Sequence, residues 1–224
     1  MTLRDRRLRE QAQRHRLILA TAREMAEAEG WDNVTTRRLA DRIEYSQPVL
    51  YQHFKNKDAI IHAVAQQGLA ELAAALRAAR LGADGPHEAL TEAARAYAEF
   101  AARGPVLYQA MLVLDAGAAR PGTGTSGAHT ADTATADTAA AAGMAGTAEA
   151  SSAPPPLDVL GEIEEAVQPL AAGRDPRALA EVVWSAWHGL ATLTHGGRLD
   201  RSATPGRMAL LAAMLTGTAA AQPA

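Results

Sequence analysis

Residues 35–60 read TTRRLADRIEYSQPVLYQHFKNKDAI. Two short helices fit this stretch, at 36–43 and 47–53. Thr35 or Thr36 stands where a helix needs a capping hydroxyl, and Leu39, Ala40 and Ile43 make the inner face of the first helix. Glu44 and Tyr45 form a tight turn. Ser46 then caps the second helix, and Pro48 lies in its first turn, where a missing N–H is tolerated. Leu50 and Phe54 are four apart and share a buried face, which leaves Gln47, Val49, Tyr51, Gln52 and His53 pointing outward or sideways. A short helix with such outward residues fits the major groove of B-DNA. Glutamine can bond adenine at two points, and Val49 and the Pro48 ring suit a thymine methyl. Tyr51, His53, Lys55 and Lys57 suit phosphate oxygens, which set register rather than sequence. Thr36 and Arg37 open the first helix, where backbone N–H groups favour a phosphate.

The charge distribution agrees with an anion-binding N-terminal end. The 224-residue chain has a net charge of −3, yet residues 1–60 hold 12 Lys/Arg against 9 Asp/Glu and the remainder 10 against 16. Six arginines (Arg4, Arg6, Arg7, Arg9, Arg14, Arg16) crowd the first 16 residues, as a solvated arm or as one that contacts phosphates. There are no cysteines, which excludes disulfides and thiolate chemistry and fits a reducing cytoplasm. No apolar run reaches the roughly 18 residues of a membrane span, and the charged N-terminus does not read as a signal peptide.

Outside the opening stretch the chain reads as helix throughout, with no strand alternation. A helix over 8–29 carries Ile18, Leu19, Ala22, Met25 and Ala26 inward and ends at Gly30. A long helix at 57–81 comes next, with Ile60, Val64, Leu69, Leu72 and Leu76 as its apolar positions. Pro86, Pro105, Pro176 and Pro205 open helices at 86–102, 105–115, 176–195 and 205–219, with Gly85, Gly104, Asp175 and Thr204 as caps. A further helix at 157–171 is bent or ended by Pro169. Residues 116–156 are nearly all small or polar and cannot bury enough apolar surface to order themselves, so a disordered loop is expected.

With these elements in place, the chain resembles the TetR family of bacterial transcriptional regulators. The likeness covers residues 12–70 and rests on GWDNVTTRRLADRI (30–43) followed by LYQHFKNKDAII (50–61). It implies that Thr36, Arg37, Ser46, Gln47, Pro48, Val49, Tyr51, Gln52, His53 and Lys57 contact DNA. Glu44 departs from the pattern, because the family usually has glycine in this turn. A left-handed backbone there costs glutamate about 1 kcal/mol.

The C-terminal portion carries WSAWHGLATLTHGG at 184–197. Its tryptophans either fill the core of an alanine-rich bundle or line a ligand pocket with Tyr97, Phe100, Tyr108, Met111, Trp184, Trp187 and His188. His188 and His195 lack carboxylates at ligand spacing, so no metal or other cofactor is expected. Ser185 lacks the strand-turn-helix setting of a hydrolytic nucleophile, and no convergent catalytic set points to an enzyme. The tripeptide at 187–189 resembles the WHG type of C-terminal domain. That resemblance implies that the last two helices form a four-helix dimer interface, and the almost wholly apolar MALLAAML (208–215) supports it.

The resulting expectation is an all-α chain. A three-helix helix-turn-helix domain (8–56) precedes a C-terminal bundle (57–224) that binds a ligand and dimerises. Its partners are double-stranded operator DNA, a small-molecule effector and a second copy of the chain, in the cytoplasm with no membrane. The competing readings are a DNA-binding regulator without an effector and a helical interaction protein.

Overall fold

The computed structural model describes residues 2–118 and 158–216. Among these every regular element is helical. The first helix, α1 (Leu3–Glu29), begins earlier than its apolar stripe suggests. Thr2 and Asp5 form a reciprocal capping box, the Thr2 hydroxyl accepting from the Asp5 N–H and the Asp5 carboxylate from the Thr2 N–H. Two satisfied end groups extend the helix through the arginine-rich segment, which is thus a helix and not an arm. Gly30 stops α1 at φ 81° and ψ 156°, a region essentially confined to glycine.

Two short helices come next, α2 (Thr36–Arg42) and α3 (Gln47–His53), and then α4 (Lys57–Leu81). Thr35 caps α2 and Asn56 caps α4 through their side chains. Ser46 stands at the N-cap of α3 but makes no side-chain capping bond. Pro48 has no N–H to offer, and the Val49 N–H is held by the Ser46 carbonyl at 3.0 Å, so the hydroxyl stays exposed.

The C-terminal portion comprises α5 (Pro86–Arg103), α6 (Pro105–Ala118), α7 (Val159–Val167), α8 (Pro176–His195) and α9 (Thr204–Thr216). Pro169 converts the end of α7 into a 3₁₀ turn over Gln168–Leu170. Thr204 lies inside α9 instead of capping it. Of the expected disordered loop, residues 116–118 belong to α6, and 119–156 lie outside the described residues.

Helix α4 is the centre of the molecule and packs on α1, α5, α6 and α7. Ile60, Val64, Ala65, Leu72 and Leu76 are buried along it. Gly68 lets α6 approach, since a Cβ there would lie 2.8 Å from Met111 Sδ and 3.0 Å from Leu107 Cδ1. Among the described residues α4 alone is long and apolar enough to cross a bilayer by length and composition. It is a core helix of the bundle. Three ion pairs among the described residues hold it: Arg23 of α1 meets Glu71 at 2.7 Å, and Arg80 and Arg77 meet the buried Glu162 of α7 at 3.1 and 3.9 Å.

Candidate functional site

The loop between α2 and α3 closes as a Schellman motif. The Tyr45 N–H donates to the Ala40 carbonyl at 3.0 Å and the Glu44 N–H to the Asp41 carbonyl at 3.3 Å. This geometry needs a left-handed residue at its hinge, and Glu44 supplies it with φ 58°. The strain expected of glutamate in that turn is therefore present.

Leu39, Ala40, Leu50 and Phe54 are buried beneath the two helices, with Ile43 half-buried. Of the outward set, Arg37, Ser46, Pro48, Tyr51 and Gln52 are exposed, and Thr36, Gln47, Val49, His53 and Lys57 are half-buried. Tyr51 is 51% exposed, and its hydroxyl lies 3.4 Å from the Thr36 hydroxyl. One contact thus links the start of α2 to the middle of α3. The three arginines of α2 divide by role. Arg38 is tied to Glu29 at 2.8 Å and to the Asn33 carbonyl at 2.7 Å, and Arg42 to Glu24 at 3.3 Å. Those two fasten α2 to α1 and its exit, a task that sequence spacing did not reveal. Arg37 has no ion pair among the described residues.

His53 faces α1. Its ring centroid is 6.1 Å from that of His15, which itself stacks on Phe54 at 4.7 Å. Burial, with His15 and Arg14 nearby, holds the His53 pKa below the usual histidine value. Beside this surface, residues 2–13 of α1 are all exposed. Arg6 pairs with Glu10 at 2.8 Å, whereas Arg4, Arg7 and Arg16 have no ion pair among the described residues. The arrangement is an exposed, cation-bearing face with neutral hydrogen-bonding side chains at its centre.

In the C-terminal portion the expected pocket residues come together as a polar chain within the core. Trp184 Nε1 donates to the Tyr97 hydroxyl at 3.2 Å, the Tyr97 and Tyr108 hydroxyls are 2.7 Å apart, and Tyr108 is 2.9 Å from His188 Nδ1. Trp187, 1% exposed, packs on Tyr97 with centroids 5.5 Å apart. Phe100 and Met111 are buried too. Burial raises the pKa of both tyrosines and lowers that of His188. A cavity of about 380 Å³ lies elsewhere, between α5, α8 and α9, and none of these seven residues lines it.

A link from α1 to this region was not visible in the sequence. Glu27 accepts from the Leu107 N–H at 2.8 Å and the Val106 N–H at 3.3 Å. A carboxylate of the first helix therefore caps the N-terminus of α6, where the helix dipole favours negative charge. The tertiary partner is about 80 residues away in sequence, so no local pattern announces it.

Residues 18–64 match the family model for bacterial regulatory proteins, tetR family. Residues 90–218, more than half of the chain, match the tetracyclin repressor-like C-terminal domain. The class C tetracycline repressor protein of Escherichia coli is 47% identical over 49 residues, 22% of each chain. The class A repressor protein from transposon 1721, also in Escherichia coli, is 43% identical over 54 residues, 24% of this chain and 25% of that one. The chain thus covers about a quarter of the length of these curated relatives. A tetR-family transcriptional regulator from Pectobacterium atrosepticum superposes with a TM-score of 0.62 at 21% identity, covering 96% of this chain and 98% of that one. A TetR variant from Acinetobacter baumannii AYE in complex with minocycline gives 0.52 at 21% identity, covering 89% and 92%. With both halves matched in order and the helix-turn-helix geometry intact, the chain belongs to the tetR family of bacterial regulatory proteins, a DNA-binding helix-turn-helix ahead of a tetracyclin repressor-like C-terminal domain.

Proposed function

We propose that the protein is a homodimeric transcriptional repressor of the cytoplasm whose operator affinity is altered by a small molecule bound in its C-terminal portion. The observation that carries the DNA end is the face of α2 and α3. Tyr51, Gln52, Ser46 and Arg37 stand exposed over a core that fixes both helices. In this reading residues 8–56 are the reading head and 57–224 the sensing and dimerising body. Gln47, Pro48, Val49 and Gln52 meet base edges. Thr36, Arg37, Ser46, Tyr51, His53 and Lys57 hold the phosphates.

Dimerisation is supported by an apolar face on α8 and α9. Val182 is 60% exposed, Leu193 40%, Leu210 53% and Met214 72%. A shallow groove between the two helices runs past Gly189 and Leu190, and a Cβ on Gly189 would meet nothing within 4 Å. Patches of this kind mark interfaces, and a two-fold pairing of the same face would make a four-helix contact. Two α3 helices would then enter major grooves roughly 34–36 Å apart on a near-palindromic site. The names of the relatives, tetracycline repressors and a minocycline complex, support a small-molecule input.

Gel-shift titration on the DNA flanking the protein's own gene tests this reading. Tyr51→Ala or Lys57→Ala should weaken the discrete, competed complex while leaving the circular dichroism spectrum intact, and binding should fall steeply with salt as phosphate contacts release counterions. Wild-type affinity for both variants would refute the DNA assignment.

A further inference from the structure

We infer that the cavity between α5, α8 and α9 is a binding site for a small amphiphile with an apolar body and one anionic group. The inference rests on the effector reading for its purpose, but the site is argued from its own walls. At about 380 Å³ it falls in the range of roughly 300–1,000 Å³ that holds a small ligand. Alanines create it. Ala98, Ala101 and Ala102 of α5 face Ala191 of α8 and Ala209 of α9 across the space, where larger side chains would meet. The walls are nearly all carbon, with Met208 at the base of α9. An apolar void of this size offers water few partners and leaves its lining without dispersion contacts.

Two lining threonines point to an occupant with a polar end. The hydroxyls of Thr194 and Thr204 are buried, and neither has a hydrogen-bond partner. Unpaired buried hydroxyls are rare. One staggered step about χ1 brings a threonine hydroxyl to the place its methyl held, so the hydroxyl can be presented to the cavity.

The charge at the lip selects the sign of that end. Arg95 is held by Glu92 at 2.5 Å and by Glu99 at 2.6 Å, so its charge is more than matched and the α5 side offers an anion nothing. Arg201 has no ion pair among the described residues, and it lines the cavity together with His195. The neighbouring Asp200 is engaged by the Ser202 backbone and hydroxyl. On the α8–α9 side the unpaired charge is therefore the positive one of Arg201, next to two threonine hydroxyls and above an apolar interior, while the excess negative charge lies on the α5 side. A carboxylate with a hydrocarbon body fits all three.

The test uses the full chain with decanoate, and decyltrimethylammonium as a probe of equal chain and opposite charge, read by calorimetry without DNA. Decanoate should bind saturably at one per protomer and the cation at least tenfold more weakly. Ala98→Phe, which fills the cavity, should abolish binding. Thr194→Val, which keeps the shape, should weaken it severalfold. Arg201→Ala should weaken it about three- to fivefold, as befits an exposed pair, and Arg201→Lys should restore it. Equal binding of both probes, or unchanged affinity in Ala98→Phe and Thr194→Val, would overturn the site. Decanoate binding that leaves operator affinity untouched supports the site while refuting its role as the effector site. Operator release by another molecule with no decanoate binding overturns the site and leaves the effector reading standing.

Discussion

The hydroxyl of Tyr108 lies 2.9 Å from Nδ1 of His188, and that contact ends a four-residue chain whose direction Trp184 sets. Trp184 can only donate, so the Tyr97 oxygen accepts from it. The Tyr97 proton then points to Tyr108 and the Tyr108 proton to His188. The imidazole must be neutral, with its proton on Nε2. Reversing any link would leave a buried hydroxyl proton without an acceptor. Long-range ¹H–¹⁵N spectra should show the Nε2–H tautomer at pH 7.5, and a dominant Nδ1–H form would contradict the chain. Tyr108→Phe removes the central link and should cost about 1–3 kcal/mol in urea unfolding.

Two histidines, His53 and His188, are held below their ordinary pKa, in both cases chiefly by burial. The unfolded chain therefore binds more protons than the folded one as pH falls below about 6.5. Stability rises with pH where the unfolded state holds the extra protons. It should thus decline on acidification from about pH 6.5 and level off below the folded pKa values. Urea unfolding between pH 7.5 and 5 should show this slope, and the His53→Asn, His188→Gln double variant should flatten it. An unchanged slope in the double variant would place the titration elsewhere.

Glu44 sits at φ 58° in the turn between the two short helices. Glycine adopts that conformation freely, although it also gives the unfolded chain more freedom. Glu44→Gly should raise stability by up to about 1 kcal/mol, and Glu44→Val, with a branched side chain, should lower it. Denaturant midpoints for the pair decide the matter, with the reverse order as the contrary outcome.

The cap that Glu27 places on α6 should be removable by itself. Glu27→Ala should cost about 1–2 kcal/mol and Glu27→Gln less, since one acceptor oxygen remains. Amide exchange at Val106 and Leu107 should accelerate in Glu27→Ala. Unchanged protection there would mean that the carboxylate is not their acceptor.

The helical layout was readable because its signals are local. Asn56 caps α4 and Asp175 caps α8, each from the position just before the helix. Pro86, Pro105 and Pro176 stand in first turns, and Leu50 and Phe54 recur at helical spacing. The start of α1 was missed because the Thr2–Asp5 box precedes the first apolar residue of the stripe. The outward face of α3 was legible for the same reason as its core, since a seven-residue helix has few ways to lie. Partnerships across the fold were not. Nothing near Arg38 or Arg42 says that they pair with Glu29 and Glu24 while Arg37 stays unpaired. Nothing around Trp184 and Tyr97 shows that a pocket-like set of aromatics would satisfy itself with hydrogen bonds. The alanines of α5 read as helix formers, and only the placement of α8 and α9 opposite them makes a void.

Helix α1 joins two functions on one rod. It is 27 residues long without interruption, with Arg4 and Arg7 near one end and the α6-capping Glu27 near the other. From Arg4 to Glu27 is about 35 Å at a rise of 1.5 Å per residue. Such a rod acts as a lever: a tilt of about 5° at the Glu27 end sweeps Arg4 through about 3 Å, the length of one hydrogen bond. In the proposed reading a displacement of that size would be enough to lift an arginine off a phosphate.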